Sequence, residues 1–295
     1  MIASITKMCN LGCAGCYAAV NAKSCHEELP SDTWGRLFTE AEELGVSFIL
    51  LAGGEPLERM EIIEEAASHK SLVFPVFTNG CKMDEEKARF FAKHRNMVPI
   101  ISIEGGRELT DARRGDGVYD RVMGSMKFLS DQAVFFGVSI TVTADNINEA
   151  LSDSFIGMLR KKGAGAFIYV EYVPADGISM ELAPGPDERA YLAKRVLAFK
   201  KEQGGIHICF PGDEEAMGGC LAAGRGFVHI NPAGGVEPCP FSPVSDSNIS
   251  ELSLKDALKS PFLADLRTSG AMEIEHLGGC ALWDKREEVQ ALLGR

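Results

Sequence analysis

Short, nearly uninterrupted apolar runs recur along the first 175 residues, each followed by a stretch with apolar positions at helical spacing. The runs are MIASIT (1–6), VSFILLAG (46–53), LVFPVFTN (72–79), VPIISIEG (98–105), GVSITVT (137–143) and AFIYVEYV (166–173). β-Branched and aromatic residues dominate them, and several lack a polar face, as strands covered on both sides require. The helical stretches have recognisable ends. Ser31 or Asp32 is placed to cap LPSDTWGRLFTEAEELG, and Gly45 to stop it. Asp84 opens DEEKARFFAKHRN, with acids in its first turn and bases near its last, as the helix dipole favours. GVYDRVMGSMKFLSDQ, NINEALSDSFIGMLRKKG and DERAYLAKRVLAFKKEQGG (187–205) continue the series. This alternation predicts an α/β fold, a partial (β/α)6 TIM-like barrel over residues 1–205. Its active site is expected at the C-terminal ends of the strands.

After residue 205 the pattern changes. Residues 206–245 are rich in Gly and Pro, with a strand-like FVHI (227–230), an NPAGG turn and a short VEP before Cys239. Two helical segments follow, SLKDALKSPFLADLRTS and ALWDKREEVQALLG. Residues 206–295 therefore read as a small C-terminal extension with little core of its own, which a bound metal cluster would stabilise.

Charge and composition narrow the partners. With 30 basic against 42 acidic residues the chain carries a formal charge of −12 and shows no basic cluster, so no nucleic-acid partner is expected. KKG at 161–163 and KK at 200–201 sit near helix ends, where cations suit the dipole. No run approaches the ~18 apolar residues of a membrane span, and MIASITKMC is too short and polar for a secretory signal. A cytoplasmic location follows as the expectation. There a reducing compartment argues against structural disulfides and leaves ligation, catalysis or burial as the uses of nine cysteines. Three fall within residues 9–16, and Cys220, Cys239 and Cys280 lie in the last quarter.

Cys9, Cys13 and Cys16 share one loop directly after the first strand, a density that suits a soft metal or an iron–sulfur cluster. Zinc prefers four ligands, and Cys25 is near enough to count as a fourth, so counting alone leaves zinc open. A cubane on three cysteines leaves one iron free for a ligand. The stretch CNLGCAGCY resembles the C-x₃-C-x₂-C motif of radical SAM enzymes, at the place in the fold where that family carries it. Gly53-Gly54-Glu55-Pro56, at the end of the second strand, resembles the family's GGE motif. Glycines let backbone approach a ligand, and Glu55 can accept from an ammonium. DARRGDGVYDRV resembles the family's D-x-x-R-G segment, giving Asp111, Arg114 and Gly115. The resemblance implies a [4Fe–4S] cluster on Cys9, Cys13 and Cys16, with S-adenosylmethionine chelated to its open iron. It also implies cofactor contacts from Gly53, Gly54, Glu55, Ser102, Arg114 and Asn146, with Tyr17 covering the cluster's flank. Two departures stand out: Gly15 replaces the usual aromatic before the third cysteine, and Glu104 replaces the usual Asp of the fourth strand.

Cys220, Pro238-Cys239-Pro240 and Cys280 in GGCALW resemble the SPASM or shorter twitch extension, which binds auxiliary clusters. That resemblance implies one auxiliary [4Fe–4S] cluster, with an open iron or with Cys209 as a remote fourth ligand; Trp283 stands where twitch sites often close with cysteine. Cys25 and Cys81 read as structural thiols. By the same resemblance, a reductant such as flavodoxin or ferredoxin feeds reductive cleavage of S-adenosylmethionine, and the 5′-deoxyadenosyl radical abstracts hydrogen from substrate. Only eight residues precede the cysteine loop, which favours a small-molecule or cofactor-precursor substrate, or a separately encoded protein that recognises a peptide. A SPASM-type peptide maturase is the alternative, and a non-catalytic iron–sulfur or zinc scaffold the second. His207, His229 and His276 show no metal-site spacing, and Asp213, Glu214 and Glu215 form either a cleft wall or a solvated run. No general base is legible; Glu171 and Tyr172 on the sixth strand are the candidates.

Overall fold

The computed structural model describes residues 1–22, 27–175, 177–210, 218–272 and 279–293. Its first half runs β1 (Ile2–Ser4), α1 (Tyr17–Asn21), α2 (Ser31–Glu43), β2 (Leu50–Ala52), α3 (Met60–Ser68), β3 (Phe74–Thr78), α4 (Glu85–Lys93), β4 (Met97–Ile103), α5 (Arg107–Arg114) and α6 (Val118–Asp131). The second half runs β5 (Phe136–Val142), α7 (Ile147–Ala150), α8 (Asp153–Lys161), β6 (Ala164–Glu171), α9 (Pro186–Glu202), β7 (Ile206–Phe210), β8 (His229–Ile230) and β9 (Val236–Glu237). α10 (Leu254–Ala257), α11 (Pro261–Thr268), α12 (Ala281–Asp284) and α13 (Arg286–Leu293) close it.

One nine-stranded sheet takes the order β7-β6-β5-β4-β3-β2-β1-β8-β9. From β1 to β7 each strand pairs in parallel with its predecessor, and the run does not close on itself, which is an open barrel. The residues pointing away from the barrel axis pack under the helices: Ala3 and Ile5, Leu51, Phe74 and Val76, Phe167 and Tyr169 all join one core. All six anticipated strands are present, and the C-terminal strand ends gather on one rim.

Strand β7 lies in a stretch whose composition predicted irregular structure. His207 and Cys209 turn inward beneath α9, where the His207 ring stacks on Phe167 at 4.8 Å, while Ile206 and Ile208 stay exposed. Apolar residues on the open face and a histidine on the covered face hide the strand from a simple apolar count. The helix α2 starts at Ser31 with Pro30 as its N-cap, so neither Ser31 nor Asp32 caps it; Asp32 accepts instead from the Thr33 N–H at 2.7 Å. Proline presets the extended backbone that enters the helix. Asp84 does cap α4, accepting from Lys87 N at 2.8 Å. NINEALSDSFIGMLRKKG is two helices rather than one, because Ser152 leaves the helix to cap α8 through Phe155 N. The last two helical segments divide likewise, at Ser260, which caps α11, and at Lys285. Among the described residues no helix is long and apolar enough to cross a membrane.

The hairpin β8–β9 joins the far side of β1, with Ile2 opposite His229. A buried polar line sews this joint. Ser4 Oγ meets His229 Nε2 at 2.8 Å, His229 Nδ1 meets Glu237 Oε2 at 2.7 Å, and Asn231 Nδ2 donates to Glu237 Oε1 at 2.6 Å. Nothing in the spacing of His229 announced this role, because its partners lie on two other strands. Replacing Glu237 with Ala leaves the buried His229 Nδ1 and the half-buried Asn231 amide without their partner, and urea unfolding should show a loss of about 2 kcal/mol. A loss below about 0.5 kcal/mol, the size of a surface change, would show that the line does not hold the joint.

Candidate functional site

The cysteine loop grows directly out of β1 onto the rim of strand ends. Its root is strapped by the glycine pair after β2: Gly54 N donates to Thr6 O and Glu55 N to Met8 O, each at 2.7 Å. Close approach makes glycine mandatory there, since a Cβ on Gly54 would stand 2.1 Å from Met8 O and one on Gly53 2.4 Å from Thr6 O. Glu55, fully buried, is used by its own chain. Its carboxylate accepts from Thr78 Oγ1 at 2.6 Å, Asn79 N at 2.7 Å and Leu57 N at 3.0 Å, which ties the β2 and β3 ends together. Burial pushes its carboxyl above the usual range against the opposing pull of those three donors.

Asn79 extends this tie to the loop, donating to Asn10 Oδ1 at 2.9 Å and pointing at Cys9 Sγ from 3.8 Å. Leu11 N also donates to Cys9 Sγ at 3.4 Å. Burial raises the Cys9 thiol; the Leu11 N–H lowers it, and Glu55, Cys13 and Cys16 push it up again. Burial also raises Cys13, while Arg114 and Arg113 draw it down. The three sulfurs are thus within electrostatic reach of one another; burial holds the Cys9 and Cys13 thiols up, and one N–H donor and two cations oppose it. Among the described residues no three His, Cys, Asp or Glu side chains converge tightly enough for a single ion. A cubane spreads its thiolates over three corners, so three separated sulfurs in one loop fit a cluster better than an ion.

Arg114 and Arg113 approach from α5 and both grip Glu104 at the end of β4. Arg113 Nη1 and Arg114 Nε each reach Glu104 Oε1 at 2.6 Å, and Glu104 is only 1% exposed. Arg114, expected to pair with a cofactor carboxylate, therefore already has an anion, supplied by the longer Glu104. The other oxygen, Glu104 Oε2, is buried and has no hydrogen-bond partner among the described residues, leaving one anionic acceptor for a cofactor or substrate donor. Asn146, expected to touch the cofactor, spends its amide on backbone: Oδ1 accepts from Thr143 N, and Nδ2 donates to Glu104 O and Thr141 O. It positions the β4 and β5 ends. Ser102, half-buried, lies opposite Ser139 in register. Ala14 N donates to Arg113 O at 2.9 Å, clasping the loop to α5. Gly15, at φ +63°, has no room for a side chain: its Cβ would meet Tyr172 Oη at 2.1 Å. An aromatic ring thus does lie at that point of the loop, but it comes from the end of β6.

The second cysteine set lies where the extension meets the barrel. Cys239, buried, ends the β8–β9 hairpin, and Cys220 N donates to Met272 O. Cys280 precedes α12; burial pushes its thiol up to about 12, with the Trp283 N–H opposing and Cys220 adding to the rise. The barrel holds this segment through Glu171, which accepts from Gly279 N at 2.9 Å and from Arg189 Nε at 2.7 Å. Glu171 is thus a clamp beside Cys280, a role that no local signal revealed. Tyr17 stands between the two sets: burial raises its phenol, and Cys16 and Cys239 both add to the rise. Cys209 lies buried on β7 beside Tyr169, and Cys81 follows the β3 end near Arg121. Cys25, His276 and Asp213, Glu214 and Glu215 fall outside the described residues.

A family model described as the radical SAM superfamily matches residues 3–151. The AdoMet-dependent heme synthase of Methanosarcina barkeri is 28% identical over 275 residues, covering 84% of this chain and 78% of that protein. The PqqA peptide cyclase of Rhizobium meliloti is 27% identical over 271 residues, covering 86% and 72%. Among solved structures, Streptococcus suis SuiB bound to precursor peptide SuiA superposes with a TM-score of 0.75 at 17% identity. That likeness covers 90% of this chain and 66% of SuiB, so the chain spans just under two thirds of that structure.

Proposed function

The chain belongs to the radical SAM superfamily of enzymes, whose cofactors are a [4Fe–4S] cluster and S-adenosylmethionine, and from that premise we propose how its own residues serve the reaction. The single observation that carries the proposal is the strapping of the Cys9–Cys13–Cys16 loop by Gly54 and Glu55 onto the rim of strand ends. When bound, the cluster supplies the electron that cleaves the sulfonium and yields the 5′-deoxyadenosyl radical. Cys9, Cys13 and Cys16 hold it. Gly53 and Gly54 keep the backbone bare so that the loop root sits close to β2. Glu55 fixes the ends of β2 and β3, and Glu104 offers Oε2 to a donor of the cofactor or substrate. Arg113, Arg114 and Asn146 hold Glu104 in place.

Cys220, Cys239 and Cys280 hold one auxiliary cluster, which Glu171 and the hairpin fix against the barrel rim. The proposed substrate is a small molecule or cofactor precursor, whose hydrogen is abstracted above that rim. Support comes from the resemblance to a heme synthase over 84% of the chain. A second reading, a peptide-modifying enzyme, is favoured by the resemblance to a PqqA peptide cyclase over a comparable span.

The test is 5′-deoxyadenosine formation after anaerobic reconstitution with iron and sulfide, then S-adenosylmethionine and dithionite. The wild type is expected to make it, with a further rise when the right substrate is added. The triple variant Cys9→Ala, Cys13→Ala, Cys16→Ala is expected to make none above background. Product from that triple variant would place the chemistry elsewhere and end the proposal.

A further inference from the structure

The helix α1 has five residues and begins directly after Cys16 with Tyr17. The Tyr17 ring meets Phe241 edge to face, with centroids 5.2 Å apart and planes at 71°. Phe241 is buried two residues beyond Cys239. At the other end of α1, Asn21 Nδ2 donates to Pro240 O at 2.9 Å. The segment then folds back, with Ser242 N donating to Cys239 O at 2.9 Å. Both ends of this short helix are therefore fastened to Cys239–Phe241, and the fastening joins the two cysteine sets rather than the barrel's strand–helix layers. From Cys16 to Cys239 the connection is one peptide link, the Tyr17 ring, one ring-to-ring contact, the Phe241 ring and two peptide links. Rings in van der Waals contact conduct a tunnelling electron better than saturated side chains or a gap.

We propose that Tyr17 and Phe241 form the bridge over which single electrons pass between a cluster held at Cys16 and one held at Cys239. This rests on the reading above that both cysteine sets hold clusters. One electron leaves the reduced auxiliary cluster, which is oxidised by one unit, and arrives at the oxidised N-terminal cluster, which is reduced by one. No bond breaks, no proton moves, and neither ring changes charge. An electron taken from a substrate radical thereby returns to the cluster that cleaves the next S-adenosylmethionine.

The experiment uses the reconstituted full chain and a deazaflavin flash that delivers less than one electron per chain. Freeze-quench EPR then follows how that electron redistributes between the two clusters. The wild type and Tyr17→Phe should redistribute it alike, whereas Tyr17→Leu and Phe241→Leu should be slower by an order of magnitude or more. Iron content and both reduction potentials should stay at wild-type values, which a merely structural defect would move. If Tyr17→Leu fails to load iron, Phe241→Leu decides. Wild-type rates in a fully loaded Phe241→Leu overturn the bridge alone. Iron for only one cluster in the wild type overturns the auxiliary-cluster reading, and the bridge falls with it.

Discussion

Gly54→Ala is expected to cost the chain its N-terminal cluster and with it 5′-deoxyadenosine formation. A Cβ at this position would stand 2.1 Å from Met8 O, 2.6 Å from Met8 C and 2.8 Å from Lys7 O. All three are backbone atoms, so no rotamer change relieves the overlap, and the loop root itself must move. Moving it breaks the Gly54 N–Thr6 O and Glu55 N–Met8 O bonds, just before Cys9. Overpacking a filled site costs about 1–3 kcal/mol, and a backbone group left unpaired costs a similar amount again. Iron per chain after reconstitution should fall sharply, and the thermal midpoint should drop. Gly12→Ala is the control within the same loop, because nothing lies within 4 Å of a Cβ there. That variant should load like the wild type. Normal iron in Gly54→Ala would mean that the strap is not what presents the cysteines.

The contrast between Gly12 and Gly54 shows where sequence stops informing. Both are glycines in or beside recognisable motifs, yet only one is pressed against backbone, and the pressing residues, Lys7 and Met8, belong to the loop that follows another strand, β1. Strands were legible because parallel strands buried on both faces are written as apolar runs; SFILLAG and GVSITVT needed no partner to be read. IHICF escaped because its covered face carries His207 and Cys209, whose burial depends on rings from β6 and α9. The same limit governs the site. Motif spacing placed Cys9, Cys13, Cys16 and Glu55 on the rim, since strand ends order the loops that follow them. It did not show that Glu55 is consumed by Thr78, Asn79 and Leu57, or that Asn146 is consumed by backbone. A polar side chain at a strand end reads as a ligand contact until its neighbours are known. Gly15 makes the point in reverse: the missing aromatic was visible, but its replacement by Tyr172, just past the end of β6, was not.

Glu104→Leu is expected to be the most destabilising single change at the rim. Its carboxylate is 1% exposed and receives Arg113 and Arg114 at 2.6 Å each, and the guanidiniums have no second carboxylate among the ion pairs of the described residues. Removing one partner of a buried pair leaves its charge uncompensated, a loss of about 3–5 kcal/mol. The urea midpoint should fall accordingly. Glu104→Asp, which keeps the charge but withdraws it by one methylene, should lie between Glu104→Leu and the wild type. The loss comes from the stranded cations rather than from the missing acid. Adding Arg113→Leu and Arg114→Leu to Glu104→Leu should therefore recover part of the lost stability, since an all-apolar replacement of a buried ion group is often close to neutral. That recovery separates the charge argument from a packing argument, which predicts that each further truncation makes the chain worse. A triple variant less stable than Glu104→Leu would sink the charge account and leave Glu104 as a space-filling residue. If the recovery is seen, the acid at the end of β4 is there to hold two cations beside Cys13, where they draw the thiol toward its ligand form.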